Sequence, residues 1–234
     1  VIVLGLDISQ KPGFAILQDG KPIRYGTLFP DRSRKDYGPY PYNFVYFAAY
    51  TAERLFLEVI EPAVKQFPTI LIVIEETSKG ANTDNYDQKI LEFIHYCVVR
   101  RLMDLKVQVR YVRDGVWKSV AGARQNEKER TLNKLIADQK AKTGNKLAKL
   151  DLGDGRGPRV VGKKGQKNYS IRAVKERFGI ELKRQDEDTA EALLLAYAAT
   201  QDETPFCDGT RYGGTLKSRK IKKAIGSRNK KSPA

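Results

Sequence analysis

The stretch V-I-V-L-G-L-D-I-S-Q-K-P-G-F-A, residues 1–15, decides the reading of this chain. Residues 1–8 are apolar and rich in β-branched side chains apart from Gly5 and Asp7, the pattern of a strand covered on both faces. A carboxylate inside such a strand is costly to desolvate unless it is paired or binds a cation. Asp7 is therefore the first candidate functional residue. Residues 9–13 turn the chain, and residues 14–18 and 23–28 read as two further strands joined at Asp19-Gly20, a dipeptide suited to a hairpin.

Working outward, residues 43–66 have helical apolar spacing through Phe47, Leu55, Val59 and Ile60, with Pro62 expected to kink or shorten the end. Residues 70–74 form a fully apolar strand that stops at Glu75-Glu76. Residues 85–104 return to helical spacing through Ile90, Leu91, Ile94, Val98 and Leu102, and residues 107–112 alternate as a fifth strand. A basic stretch follows. Residues 125–142 read as a charged amphipathic helix, 151–166 as a glycine-rich mobile loop, 169–178 as a helix ended by Gly179, and 189–200 as the last helix. The order β-β-β-α-β-α-β predicts an α/β domain over residues 1–203, with a mixed five-stranded sheet flanked by helices. Residues 204–234 are polar and basic and are expected to be a largely unstructured tail.

The net charge of +15 points to a polyanionic partner, and its distribution says more. Residues 106–184 carry 22 Lys/Arg against 8 Asp/Glu, and residues 211–234 carry 9 against none, so the remainder has a charge of 15 − 14 − 9 = −8. An acidic body repels phosphates unless cations stand between them, which suggests a metal site beside a DNA-binding surface. In the loop at residues 30–42, Tyr37, Tyr40 and Tyr42 stand close in sequence to Arg32, Arg34 and Lys35. Such a loop can stack bases and grip phosphates, or fold its tyrosines back on the core. The two cysteines, Cys97 and Cys207, are far apart and support neither a disulfide framework nor zinc. His95, the sole histidine, sits among apolar neighbours in a helical stretch and reads as a packing residue. No apolar run is long enough to span a membrane and the first residues lack a signal-peptide pattern, so a cytoplasmic location is expected.

The carboxylates carry the chemistry. Glu75 closes a buried strand as Asp7 does, and Asp186, Asp188 and Glu191 crowd the start of the last helix, where Asp188 and Glu191 share a face at i, i+3. Carboxylate oxygens suit Mg²⁺ or Mn²⁺, and two such ions stabilise both the attacking and the leaving oxygen of a displacement at phosphorus without any histidine. Each acid also has a plainer reading: a solvent-facing rim for Glu75 or Glu76, a helix-dipole partner for residues 186–191. Their occurrence on the first strand, the fourth strand and the last helix makes the metal reading the stronger one.

Here the sequence resembles a known family. L-G-L-D-I-S-Q-K-P-G-F-A at 4–15, V-I-E at 73–75 and D-T-A-E-A-L-L-L-A at 188–196 resemble the opening strand, second acid and closing helix of RuvC-type Holliday junction resolvases, of the RNase H-like superfamily. The resemblance implies that Asp7, Glu75, Asp188 and Glu191 are the metal-binding carboxylates, with Glu191 where most members have aspartate and Glu76 and Asp186 in reserve. Phage-type members are similar at Trp117-Lys118 and at a lysine ahead of the next helix, Lys164 or Lys167. The resemblance implies that Lys118 and one of those two neutralise the phosphate being cut. Two features depart from the family: Ser78 stands where an aromatic wedge is usual, and residues 122–160 form a basic helical insertion, read either as a grip on DNA arms or as a solvated face.

The implied function is a homodimeric endonuclease that nicks two strands of a branched, four-way DNA junction symmetrically, with two Mg²⁺ or Mn²⁺ ions in each site. Residues 85–104 offer the apolar stripe for dimerisation. Two rival readings stand beside it: an RNase H-like nuclease acting on RNA–DNA hybrids or flaps, and a non-catalytic DNA-binding protein whose acids are structural.

Overall fold

The structure is a computed structural model that describes residues 1–31, 33, 37–76, 85–144, 148–151, 153, 155, 157–161 and 166–201. Strands β1 (Ile2–Asp7), β2 (Gly13–Gln18) and β3 (Lys21–Thr27) form an antiparallel meander, and β4 (Leu71–Glu76) and β5 (Gln108–Arg113) join β1 in parallel, giving the order β3-β2-β1-β4-β5. The β2–β3 turn places Asp19 at φ 50° and Gly20 at φ 77°, the left-handed pair that a two-residue hairpin requires.

Because successive strand side chains alternate, β1 sends Leu4 and Leu6 to one face and Val3, Gly5 and Asp7 to the other. Against the first face pack α1 (Tyr42–Leu55), α2 (Glu61–Gln66) and α3 (Asn85–Leu105), through Phe47, Leu55, Ile90, Ile94 and Val98. Against the second pack α4 (Asp114–Val120), α6 (Gln166–Phe178) and α7 (Glu187–Ala199), through Trp117, Val174 and Leu194. The two buried clusters sandwich the sheet.

Of the kink or shortened end expected at Pro62, the shortening does not occur, since the helical run reaches Gln66. A π-turn over Phe56–Ile60 precedes the proline and α2 continues beyond. Proline cannot donate to the carbonyl four residues back, that of Glu58, and Arg24 Nη2 donates to this oxygen instead at 3.0 Å. In the basic stretch after β5, residues 114–120 form helix α4, and the expected glycine-rich loop at 151–166 is corrected to include strand β7 (Arg159–Val161), which pairs with β6 (Ala148–Leu150) just before that loop. Helix α5 (Glu127–Thr143) opens with a capping box, in which Asn126 and Glu129 satisfy each other's backbone N–H. It docks on α6 through Arg172–Glu129 at 3.2 Å and Asn133–Tyr169 at 2.9 Å. Gly179, at φ 69°, ends α6 as predicted.

In the loop at 30–42 the reading of a tyrosine folded back on the core holds for Tyr37. Tyr37 is buried, packs on Phe47 and Tyr50, and donates its hydroxyl to the Asp31 carbonyl at 2.9 Å, whereas Tyr40 and Tyr42 are exposed. Arg32, Arg34, Lys35, Ser78, Cys207 and the 204–234 tail lie outside the described residues. His95 is half-buried and stacked on Tyr111 at 5.6 Å, a packing position on the α1–α3 side of the sheet.

Candidate active site

Asp7 is the last residue of β1 and Glu75 the last but one of its parallel neighbour β4, and they point to the same face, since the register pairs Gly5 with Val73 and both acids lie two residues further on. Glu76 points to the opposite face, where Arg113 Nε donates to it at 3.1 Å. Helix α7 completes the site by lying almost on the strand backbone. A Cβ on Gly5 would fall 2.5 Å from the Ala192 carbonyl oxygen, and one on Gly13 only 1.9 Å from that of Asp188. No larger residue at either position leaves room for the helix. Thr27 and Thr189, with hydroxyl oxygens 2.6 Å apart, tie β3 to the first turn of α7.

This close approach gathers Asp7, Glu75 and Glu191 so that one carboxylate oxygen of each lies within 4.8 Å of the others. Asp188, one turn before Glu191, is outside that triad but near enough to Asp7 to raise its proton affinity. Asp186 is engaged elsewhere, since its Oδ2 accepts from the Lys183 backbone N–H at 2.9 Å and stabilises the 3₁₀ turn leading into α7.

Helix α4 borders the cluster with Asp114, Trp117 and Lys118, spaced i, i+3, i+4 and hence on one face. The fully buried Trp117 donates its indole N–H to Glu75 Oε2 at 2.9 Å. Lys118 is buried, pairs with Asp114, and reaches Glu191 at 3.7 Å. Ser170 of α6 donates to Glu191 Oε1 at 3.3 Å. Sequence reasoning missed Asp114 and Ser170. The D-x-x-W-K spacing was a signal for the first; none marked the second. Lys167 lies in the first turn of α6, and Lys164 falls outside the described residues.

The electrostatics are those of crowded acids. Desolvation by the surrounding protein, reinforced by Glu191, Asp188 and Glu75, pushes Asp7 well above the usual carboxylate range, against the pull of Lys118. Burial, with Asp114 and Glu191 adding to it, lifts Glu75 to about 7, although Lys118 and the Trp117 hydrogen bond favour its charged form. Burial also raises Glu191. For Lys118, burial favours the neutral amine, but Glu191, Asp114 and Glu75 outweigh it and its pKa is raised. Three desolvated acids beside one ammonium hold their protons tightly for want of positive charge, a need that a bound cation would meet, and all their donor atoms are hard oxygens. That set fits a hard divalent cation.

A mixed sheet in the order 3-2-1-4-5, with helices on both faces and acids at the ends of β1 and β4 and on the last helix, defines an RNase H-like α/β protein. Within that class, solved RuvC-type structures are similar to it. Thermus thermophilus RuvC in complex with a Holliday junction substrate superposes with a TM-score of 0.52 at 13% identity, over 86% of this chain and 93% of that one. A second Thermus thermophilus RuvC structure gives 0.49 at 13% identity over 86% and 94%, and the yeast mitochondrial Holliday junction resolvase Ydc2 gives 0.44 at 14% over 85% and 77%. The first likeness, spanning nearly all of both chains, establishes a shared fold. No known protein-family profile and no curated protein matches the sequence.

Proposed function

We propose that this chain is a divalent-metal-dependent endonuclease that resolves four-way DNA junctions. The observation that carries the reading is the convergence of Asp7, Glu75 and Glu191 on one face of an RNase H-like sheet. Support for a junction as substrate comes from the similar RuvC structure, whose own substrate is a Holliday junction.

In this reading Asp7, Glu75, Asp188 and Glu191 hold two Mg²⁺ or Mn²⁺ ions. Such ions, when bound, stabilise the charge on the attacking and leaving oxygens of phosphodiester hydrolysis. Lys118 stays protonated beside the carboxylates and neutralises the scissile phosphate, with Lys164 or Lys167 as the second cation. The products carry 5′-phosphate and 3′-hydroxyl ends. Among the described residues one chain offers one acidic cluster, so paired nicks need a homodimer. Exposed Tyr96 and Met103 on α3 border a groove of about 310 Å³, also lined by Val99 and Tyr111 and by the charged Glu92 and Arg100, and supply a mixed apolar and ionic contact for it. The basic insertion at 122–160 and the 204–234 tail grip the DNA arms.

The test is to incubate the purified protein with a synthetic four-way junction, a linear duplex and an RNA–DNA hybrid, in Mg²⁺ or in EDTA. Paired nicks of the junction alone, dependent on Mg²⁺ and abolished by Asp7→Asn with binding kept within a few-fold, are expected. Preferential cleavage of the hybrid would move the chain to the rival nuclease reading. Metal-independent binding with no cleavage of any substrate would leave only a DNA-binding protein.

A further inference from the structure

We propose that Trp117 is a positioning residue for Glu75, fixing one carboxylate oxygen through its indole N–H so that the other is presented to the metal-binding cluster. The inference rests on the metal reading above and gives a role to a buried residue that contacts one of the candidate ligands.

The indole is fully buried, and a buried N–H of this kind takes a hydrogen-bond acceptor. The acceptor here is Glu75 Oε2 at 2.9 Å, across 42 positions of sequence. Glu75 needs such a restraint. Asp114 and Glu191 both oppose its charge, and Lys118, the nearby cation, is engaged with those same two acids. A glutamate has three rotatable bonds and, without a fixed donor, would swing away from the repelling carboxylates. With Oε2 held by the indole, Oε1 is assigned in this proposal to the metal, which favours one-oxygen ligation. Groups that orient a metal ligand in this way typically change metal affinity about 10- to 100-fold when lost.

Rigid placement follows from the fold. Helix α4 starts at the residue after β5, so its first turn is set by the strand beside β4. Trp117 packs with Val73 and Val112 of those strands, which ties the donor to the same rigid layer that carries the acceptor.

The chain has a single tryptophan, so replacing tryptophan globally by benzothienylalanine alters position 117 alone, keeping the ring shape while removing the N–H. Mn²⁺ binding to the full-length, DNA-free protein is then measured by electron paramagnetic resonance of the free ion, for wild type, Asp7→Asn, Trp117→Phe and the benzothienyl protein. Circular dichroism and thermal melts check folding. We expect wild type to bind Mn²⁺, Asp7→Asn to lose it, and the folded benzothienyl protein to bind about tenfold or more weakly. Wild-type affinity in the benzothienyl protein overturns the proposal, including the case in which Trp117→Phe alone is weak, because ring packing then explains that loss. A wild type that fails to bind Mn²⁺ overturns the metal reading itself, and this inference with it.

Discussion

Replacing Glu75 by glutamine should stabilise the metal-free protein at alkaline pH while abolishing its activity. The carboxyl is lifted from 4.5 to about 7, chiefly by burial. At about 1.4 kcal/mol per tenfold change in proton affinity, this destabilises the folded state by about 3 kcal/mol when the group is fully ionised. The sign follows from proton counting. Below pH 4.5 both folded and unfolded chains hold the proton and there is no difference. Between 4.5 and about 7 the folded chain holds more, so stability falls as pH rises, and above 7 the penalty is complete. Glutamine removes the ionisation but keeps an oxygen for the Trp117 N–H. In EDTA, Glu75→Gln should therefore match wild type near pH 4 and exceed it near pH 8 by about 3 kcal/mol, a gain in Tm of about 6–12 °C for a chain of this size. Thermal melts followed by circular dichroism across that pH range measure it. Equal melting temperatures at pH 8, or a wild type that grows more stable from pH 5 to 8 with no relative gain for the variant, would refute the account of a crowded, desolvated acid.

Three further outcomes are expected. Gly13→Ala places a methyl 1.9 Å from the Asp188 carbonyl, so it should destabilise the fold by at least the ~1–3 kcal/mol typical of overpacking and reduce cleavage by displacing α7, as read by urea denaturation and nicking assays. Lys118→Met should leave junction binding within a few-fold but slow single-turnover cleavage by about 10²–10³, the usual effect of losing one charge-stabilising group; an unchanged rate would remove Lys118 from the chemistry. Deleting residues 211–234 should weaken binding to junction and duplex by similar factors and flatten the salt dependence, since phosphate neutralisation lowers log K by about 0.9 per log unit of salt per contact and carries no shape information. Loss of junction preference with an unchanged salt slope would instead make the tail a recognition element.

The sheet was legible because its signals are local: an apolar run broken by Asp7, a turn at Asp19-Gly20, and a second run ending at Glu75-Glu76. Strand alternation then separates Glu75 from Glu76, whose partner Arg113 lies on the far face. Helix α4 was missed because seven residues, D-G-V-W-K-S-V, are too few to show a helical period and include β-branched side chains. Its contributions depend on the angle at which α4 leaves β5, which no residue spacing encodes. The β6–β7 hairpin escaped for a similar reason, each strand having three residues in a basic, glycine-rich setting. The sequence at 186–191 holds four acids, of which Asp186, Asp188 and Glu191 are the candidates for the site. Only the contact of α7 with Gly5 and Gly13 distinguishes Glu191, within the triad, from Asp186, occupied with the preceding turn.

That contact also bears on how far such a protein can drift in sequence. When a helix rests on strand backbone, the separation of the acid-bearing elements is set by atoms common to every amino acid, and outer core layers can be exchanged without moving it. The tolerance is unequal: positions 5 and 13 admit almost nothing but glycine, while the apolar residues around them are free to vary in kind so long as they fill the space. A search for remote relatives should accordingly weight two small residues, one two positions before the first acid and one six after it, above any similarity in the surrounding core.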